Sequence, residues 1–264
     1  MFNTSISVLL LLVFPAVISE VVDFSKCSEF FFEGKSPNIT GMLVKSQSQN
    51  NQYKTICQKY KNAYRFATLY DTTNRIPVFS AYTVTVDKEI KRPENTWMNE
   101  PQQARKQDYM INNAHNYIPG ALFPTSHTAD KYTVLSTFTL TNSVPQNNRF
   151  KESIWNLVET EMKTNMDSYC HDNNKKTLSY VLTGVIPGDQ QLNERVNIPS
   201  HVWTAFCCFY SSANVCVSKT YYTTNQRHNN VINIRLMNLG DLETFLNERL
   251  GGGINLFDGK CSKK

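Results

Sequence analysis

One stretch, from Asn116 through Glu159, constrains this chain more than any other. It reads NYIPGALFPTSH, then YTVLSTFTLTNSVPQNN, then RFKESIWNLVETEM. The first piece reads as a presenting loop and the second as a strand. In the third, Phe150, Ile154, Trp155, Val158 and Met162 recur at helical spacing, so a helix is expected from near Asn147 or Asn148. Its apolar stripe belongs to a core, not to a cofactor box.

The flanking sequence supplies a sheet. Phe66 to Tyr70 and Pro77 to Val86 alternate β-branched and aromatic residues around a turn at Asp71 to Asn74, which predicts a hairpin. Thr177 to Val185 reads as a strand ended by Pro187-Gly188, and His201 to Tyr210 with Val215 to Tyr222 as an antiparallel pair. Tyr53, Ile56, Cys57 and Tyr60 fall at i, i+3, i+4, i+7 and predict a short helix. Residues 87–116 lack periodicity and read as surface loop, with Trp97 to Gln102 as a docked turn. A last helix is expected over Asn238 to Leu250, its Leu242, Phe245, Leu246 and Leu250 inward, stopped by Gly251 to Gly253. Strands and helices intersperse without a βαβ rhythm. The fold class is therefore α+β, a mainly antiparallel sheet with packed helices.

Residues 1–19 read as a signal peptide. The apolar run Ile6 to Val17 is too short to span a bilayer, and Val17 and Ser19 stand at cleavage-type positions. Residues 20–264 are then a single domain, secreted and extracellular, with no membrane span. All seven cysteines follow the leader, and no CxxC pair suggests zinc. Disulfides are the expected use in an oxidising compartment, with one thiol left over. Adjacent Cys207 and Cys208 point to opposite faces of a strand and pair elsewhere. Asn38-Ile39-Thr40 is a glycosylation sequon. The net charge of +5 permits a polyanionic partner without demanding one. A cluster at Lys54, Lys59, Lys61 and Arg65 reads as a solvated helix face.

The pieces FATLYDTTNRIPVFSAY, WMNEPQ, QDYM, NYIPGALFPTSH, TLTNSVPQNNRF, IWNLVE and VWTAFCC, in that order and spacing, resemble the DNA/RNA non-specific endonucleases. The resemblance implies a ββα-metal finger (a His-Me finger) for the central stretch. In that family an Asp-Arg-Gly-His motif presents a histidine general base, and a helix asparagine holds one Mg²⁺. The four motif positions fall here on Ile118, Pro119, Gly120 and Ala121, so only the glycine is kept. The asparagine of the Asn-x-x-Pro-Gln stretch is kept as Asn142, and the helix glutamate as Glu159. The metal asparagine falls on Lys151. Arg75 matches the phosphate-side arginine region of the hairpin.

The resemblance thus implies a nuclease frame without nuclease chemistry. Alanine at 121 cannot take a proton, which forfeits typically ~10²–10⁴-fold. A lysine at the metal position repels a divalent ion, by on the order of 4 kcal/mol per unit charge at ~4 Å and an effective dielectric near 20. No cofactor is expected, and Mg²⁺ only if the site has been rebuilt. Lys151 and Arg75 remain candidates to contact DNA or RNA phosphates. A rebuilt, active endonuclease would need another base, for which His115 and His127 are the nearest in sequence. His171, His201 and His228 lie farther off. A third reading is an extracellular protein-interaction scaffold whose partner the sequence does not name.

Overall fold

The computed structural model describes residues 18–44, 47–48, 51–85, 97–98, 104–110, 116–210, 215–226 and 234–261. In chain order its principal strands begin with β1 (Ile18–Val21), β2 (Tyr53–Tyr60), β3 (Ala63–Asp71) and β4 (Ile76–Thr85). Then come β5 (Tyr117–Ala121), β6 (Ser143–Asn147), β7 (Leu178–Ile186), β8 (His201–Tyr210), β9 (Val215–Thr224) and β10 (Arg235–Met237). Eight of them form one antiparallel sheet in the order β1-β2-β3-β4-β7-β8-β9-β10. Strands β5 and β6 pair with each other as a separate ribbon. The expected hairpin is β3 and β4. Its turn is set by Asp71, whose carboxylate accepts from the Thr73 and Asn74 amides.

Each face of the sheet buries its own core. On one face the N-terminal phenylalanines Phe24, Phe31 and Phe32 pack with the helix Leu239–Leu250 and with Phe257. On the other lies a long helix built of an α turn (Asn148–Phe150), a π turn (Lys151–Trp155) and an α segment (Asn156–Tyr169). Its Ile154, Trp155, Val158, Met162 and Met166 pack on Phe66, Val181, Val202 and Phe206. The helices are α1 (Lys106–Met110), α2 (Lys131–Ser136), this long helix as α3, and Leu239–Leu250 as α4. The class is α+β, as expected.

The disulfides follow the layers. Cys27 ties the N-terminal segment to Cys57 on β2. Neighbours Cys207 and Cys208 on β8 do point apart. The first bonds Cys261 under α4's layer, and the second bonds Cys170 at the end of α3. Cys216 is the free thiol.

Four expectations of local structure are corrected, the first being the surface loop 87–116, within which Lys106–Met110 is helix α1 and Ala104 and Asp108 are buried. Tyr53 to Tyr60 is strand β2, not a helix. Thr55, Ile56, Cys57 and Gln58 are all buried, because a strand between two layers is covered on both sides, and short apolar spacing does not tell strand from helix. The cluster at Lys54, Lys59, Lys61 and Arg65 therefore lies on a hairpin, whose tight turn puts Lys61 and Asn62 at positive φ. Finally, the ribbon reverses the expected order: Tyr117–Ala121 is a strand, whereas Tyr132 to Ser136 belongs to helix α2. Asp130 starts that helix by accepting from the Tyr132 and Thr133 amides.

Of the docked turn, Trp97 and Met98 are described. Met98 bonds the Phe138 and Leu140 backbone, and the Trp97 ring stands edge-on to Phe138. Of the leader, only Ile18 and Ser19 are described, paired in β1 with Lys59 and Gln58. No helix among the described residues is long and apolar enough to cross a membrane.

Candidate functional site

The segment β5–α2–β6–α3 folds as a finger, and buried hydrogen bonds key it to the sheet. Asn142 is the central key. Its Oδ1 accepts from Ser80 Oγ of β4 and from the Phe123 amide, each at 2.9 Å, and its Nδ2 donates to the Phe123 and Thr137 carbonyls. Nearby, Thr141 Oγ1 donates to Gln58 of β2 at 2.8 Å. The asparagine shared with the nuclease pattern is thus fully engaged in holding the finger in place.

His127 is the second key. It is 1% exposed, in the short turn Thr125–His127. Its Nε2 donates to the Glu159 carbonyl at 2.8 Å, which leaves Nδ1 to accept from Tyr82 OH at 3.2 Å. Burial, reinforced by the Lys163 and Lys151 charges, pulls its pKa down to about 4. With both nitrogens engaged and no solvent contact, this side chain is not placed to activate water. A turn location was anticipated for His127, but not its complete burial.

Ile118, Pro119, Ala121, Lys151 and Glu159 line one cleft of about 520 Å³, between the ribbon and α3. Trp97, Phe138, Glu152, Asn156 and Thr160 complete it with Pro124, Thr125 and Ser126. Five residues chosen from sequence are therefore brought together. Gly120 sits just beneath, because a Cβ there would stand 2.0 Å from Gln146 Oε1. Gln146 is fully buried, and neither of its amide atoms has a hydrogen-bond partner among the described residues. Arg75 is not among the residues that line the cleft. It occupies the β3–β4 turn at a φ of 57°.

The floor of the cleft is an ion pair. Lys151 Nζ bonds Glu159 Oε1, with the two side chains 18% and 10% exposed. The π turn makes this pair possible. On a plain α-helix, eight residues carry a side chain about 80° past its starting direction. One residue absorbed in the π turn leaves effectively seven steps, about 20° short of two turns, so Lys151 and Glu159 share a face. With exposed Glu152 at the rim, the cleft carries one cation against two carboxylates.

This set does not fit Mg²⁺. The position expected to hold it carries an ammonium, the nearby Glu159 carboxylate is bound to that ammonium, and no group of three His, Cys, Asp or Glu among the described residues converges on a metal site. Of the other histidines, His201 is half-buried against Tyr222 and Phe245, and the His171 backbone forms an isolated antiparallel bridge with Thr177. His115 and His228 lie outside the described residues. Sequence reasoning missed Glu152, Asn156 and Thr160, although their spacing along the helix beside Lys151 and Glu159 was a usable signal.

A ββα finger laid on an antiparallel sheet, here of eight strands, is the architecture of a nuclease class, and the chain belongs to the DNA/RNA non-specific endonuclease family, whose model matches residues 45–260. It is similar to the human endonuclease domain-containing 1 protein, at 31% identity over 221 residues, covering 72% of this chain and 40% of that protein. The mouse protein of the same name is 29% identical over 220 residues, covering 73% and 40%. The chain thus spans about two fifths of the length of these relatives. Among solved structures, the crystal structure of the EndoG/EndoGI complex, described as showing the mechanism of EndoG inhibition, aligns with a TM-score of 0.59 at 16% identity, covering 89% of this chain and 91% of that one. That likeness concerns the fold.

Proposed function

We propose that this chain is a catalytically silent member of its nuclease family. The observation that carries the reading is the cleft floor: Ala121 where a base would stand, and a Lys151–Glu159 ion pair where a metal would sit. Hydrolysis of a phosphodiester needs a proton acceptor for water and a cation for the developing charge. Here the acceptor is a methyl group, and the cation is already neutralised. Family membership supports nucleic acid as the class of partner, contacted without cutting. At the cleft, Lys151 offers a phosphate little net charge, and Arg75 stands apart from it. Three disulfides fit an oxidising compartment, in keeping with a secreted protein.

Plasmid incubated with near-stoichiometric protein and Mg²⁺ tests the reading. The expected outcome is no metal-dependent nicking. Wild-type nicking that changes in Lys151→Asn or Ala121→His belongs to this protein and overturns the proposal, whereas equal nicking by these three and by His115→Ala identifies a contaminant. Nicking abolished by His115→Ala would carry the rebuilt-site reading instead.

A further inference from the structure

The clustered cations on the β2–β3 hairpin take no part in the cleft, and their surroundings differ from those of an ordinary solvated face. Tyr132, at the start of α2, is 46% exposed. Its ring rests on Tyr60 of β2, with centroids 6.2 Å apart, and the Arg65 guanidinium lies 5.7 Å from its centre. Arg65 is itself held, donating from Nε to the Tyr60 carbonyl at 3.2 Å and standing 3.7 Å from Asp130. The exposed tyrosine is therefore fixed in orientation while much of its surface stays open.

Two lysines adjoin this ring pair in sequence. Lys61 follows Tyr60 in the hairpin turn, and Lys131 precedes Tyr132 on the helix. Both are exposed, and neither forms an ion pair among the described residues. By contrast Lys59 is neutralised by Glu20 at 2.9 Å, and Arg65 is partly offset by Asp130. Two exposed lysines thus adjoin the ring pair along the chain, while the cation seen over the Tyr132 ring itself is Arg65.

We infer that this surface is a single-stranded nucleic-acid contact, in which a base stacks on Tyr132 and phosphates meet Lys61 and Lys131. It rests on the reading that the chain holds nucleic acid without cutting it. A half-open ring beside an arginine, with exposed lysines next in the chain, matches a strand whose bases are unstacked, because every base offers a π face and the backbone runs beside it. In a duplex those faces are already stacked, so duplex gains only the electrostatic part. The cleft, with two carboxylates against one ammonium, is the poorer place for a polyanion.

Fluorescence anisotropy with a labelled oligo-dT, at low salt and with EDTA present, tests the assignment on the whole chain. Oligo-dT is expected to bind more tightly than a duplex of equal length. Tyr132→Ala should weaken it by about fivefold or more with the salt dependence kept, and Tyr132→Phe should not. Lys61→Ser with Lys131→Ser should lower the slope of log affinity against log salt by about 1.4, two phosphates at ~0.7 each. These side chains are exposed, so circular dichroism should show all variants folded. Binding unchanged in both sets overturns the proposal, as does loss confined to Lys151→Ala. So does wild-type protein that binds heparin but not oligo-dT. Absence of oligo-dT binding leaves the silent-cleft reading standing, since only metal-dependent nicking defeats that one.

Discussion

His127 shows how far a single residue's environment decides its role. From sequence it was a candidate replacement base. In the fold it is a neutral strut between Tyr82 and the Glu159 carbonyl, with its pKa near 4 instead of the ordinary 6.5. As pH falls, the unfolded chain takes up this proton first. The histidine's contribution to stability is therefore complete above about pH 6.5 and is lost on the way down to about 4, by up to about 3 kcal/mol. His127→Gln should flatten the decline of melting temperature across that window, and an equally steep decline in the variant would place the acid sensitivity elsewhere. The replaced residues were legible without a structure. Ala121 and Lys151 lack the needed chemistry whatever surrounds them. Burial and hydrogen-bond partners were not legible for His127 or Asn142, because both arise from contacts with strands more than fifty residues away in the case of Ser80 and Asn142, and forty-five for Tyr82 and His127.

At the level of elements, the hairpin β3–β4 and the helices α3 and α4 were readable because pattern and length agree in each. Strand β2 was not, since Tyr53, Ile56, Cys57 and Tyr60 satisfy a helical spacing while the layers on both sides demand a strand. The π turn left no mark on the apolar stripe either. It makes a specific difference to what the helix tolerates. Removing exposed Ser153 should relax the turn to ordinary α-helix and keep Phe150 in line with Trp155. Removing exposed Thr164, in the plain α segment, turns Met166 about 100° relative to Met162. Thermal melts should show the first deletion folded and cooperative and the second grossly destabilised. Equal damage from both would mean that the π turn stores no such slack.

At the scale of the whole molecule, the two cores on opposite faces of one sheet explain why a chain of this composition stays together, and the three disulfides fasten the outer layers to it. Export is a proposal that the surface makes testable. Asn38 is exposed in the short strand Asn38–Ile39, as a glycan acceptor needs. Protein collected from the medium of secreting cells should lose mass on N-glycosidase treatment, and Asn38→Gln should not. Retention of the chain inside the cell would count against a secreted product.

The adjacent cysteines of β8 carry a further consequence, one of register. Cys207 serves the layer under α4 and Cys208 the layer under α3, so a slip of one residue in this strand would offer each partner the wrong sulfur. The two native bonds are therefore compatible only with the native register of β8 between β7 and β9, so the sheet's register and the covalent frame specify each other.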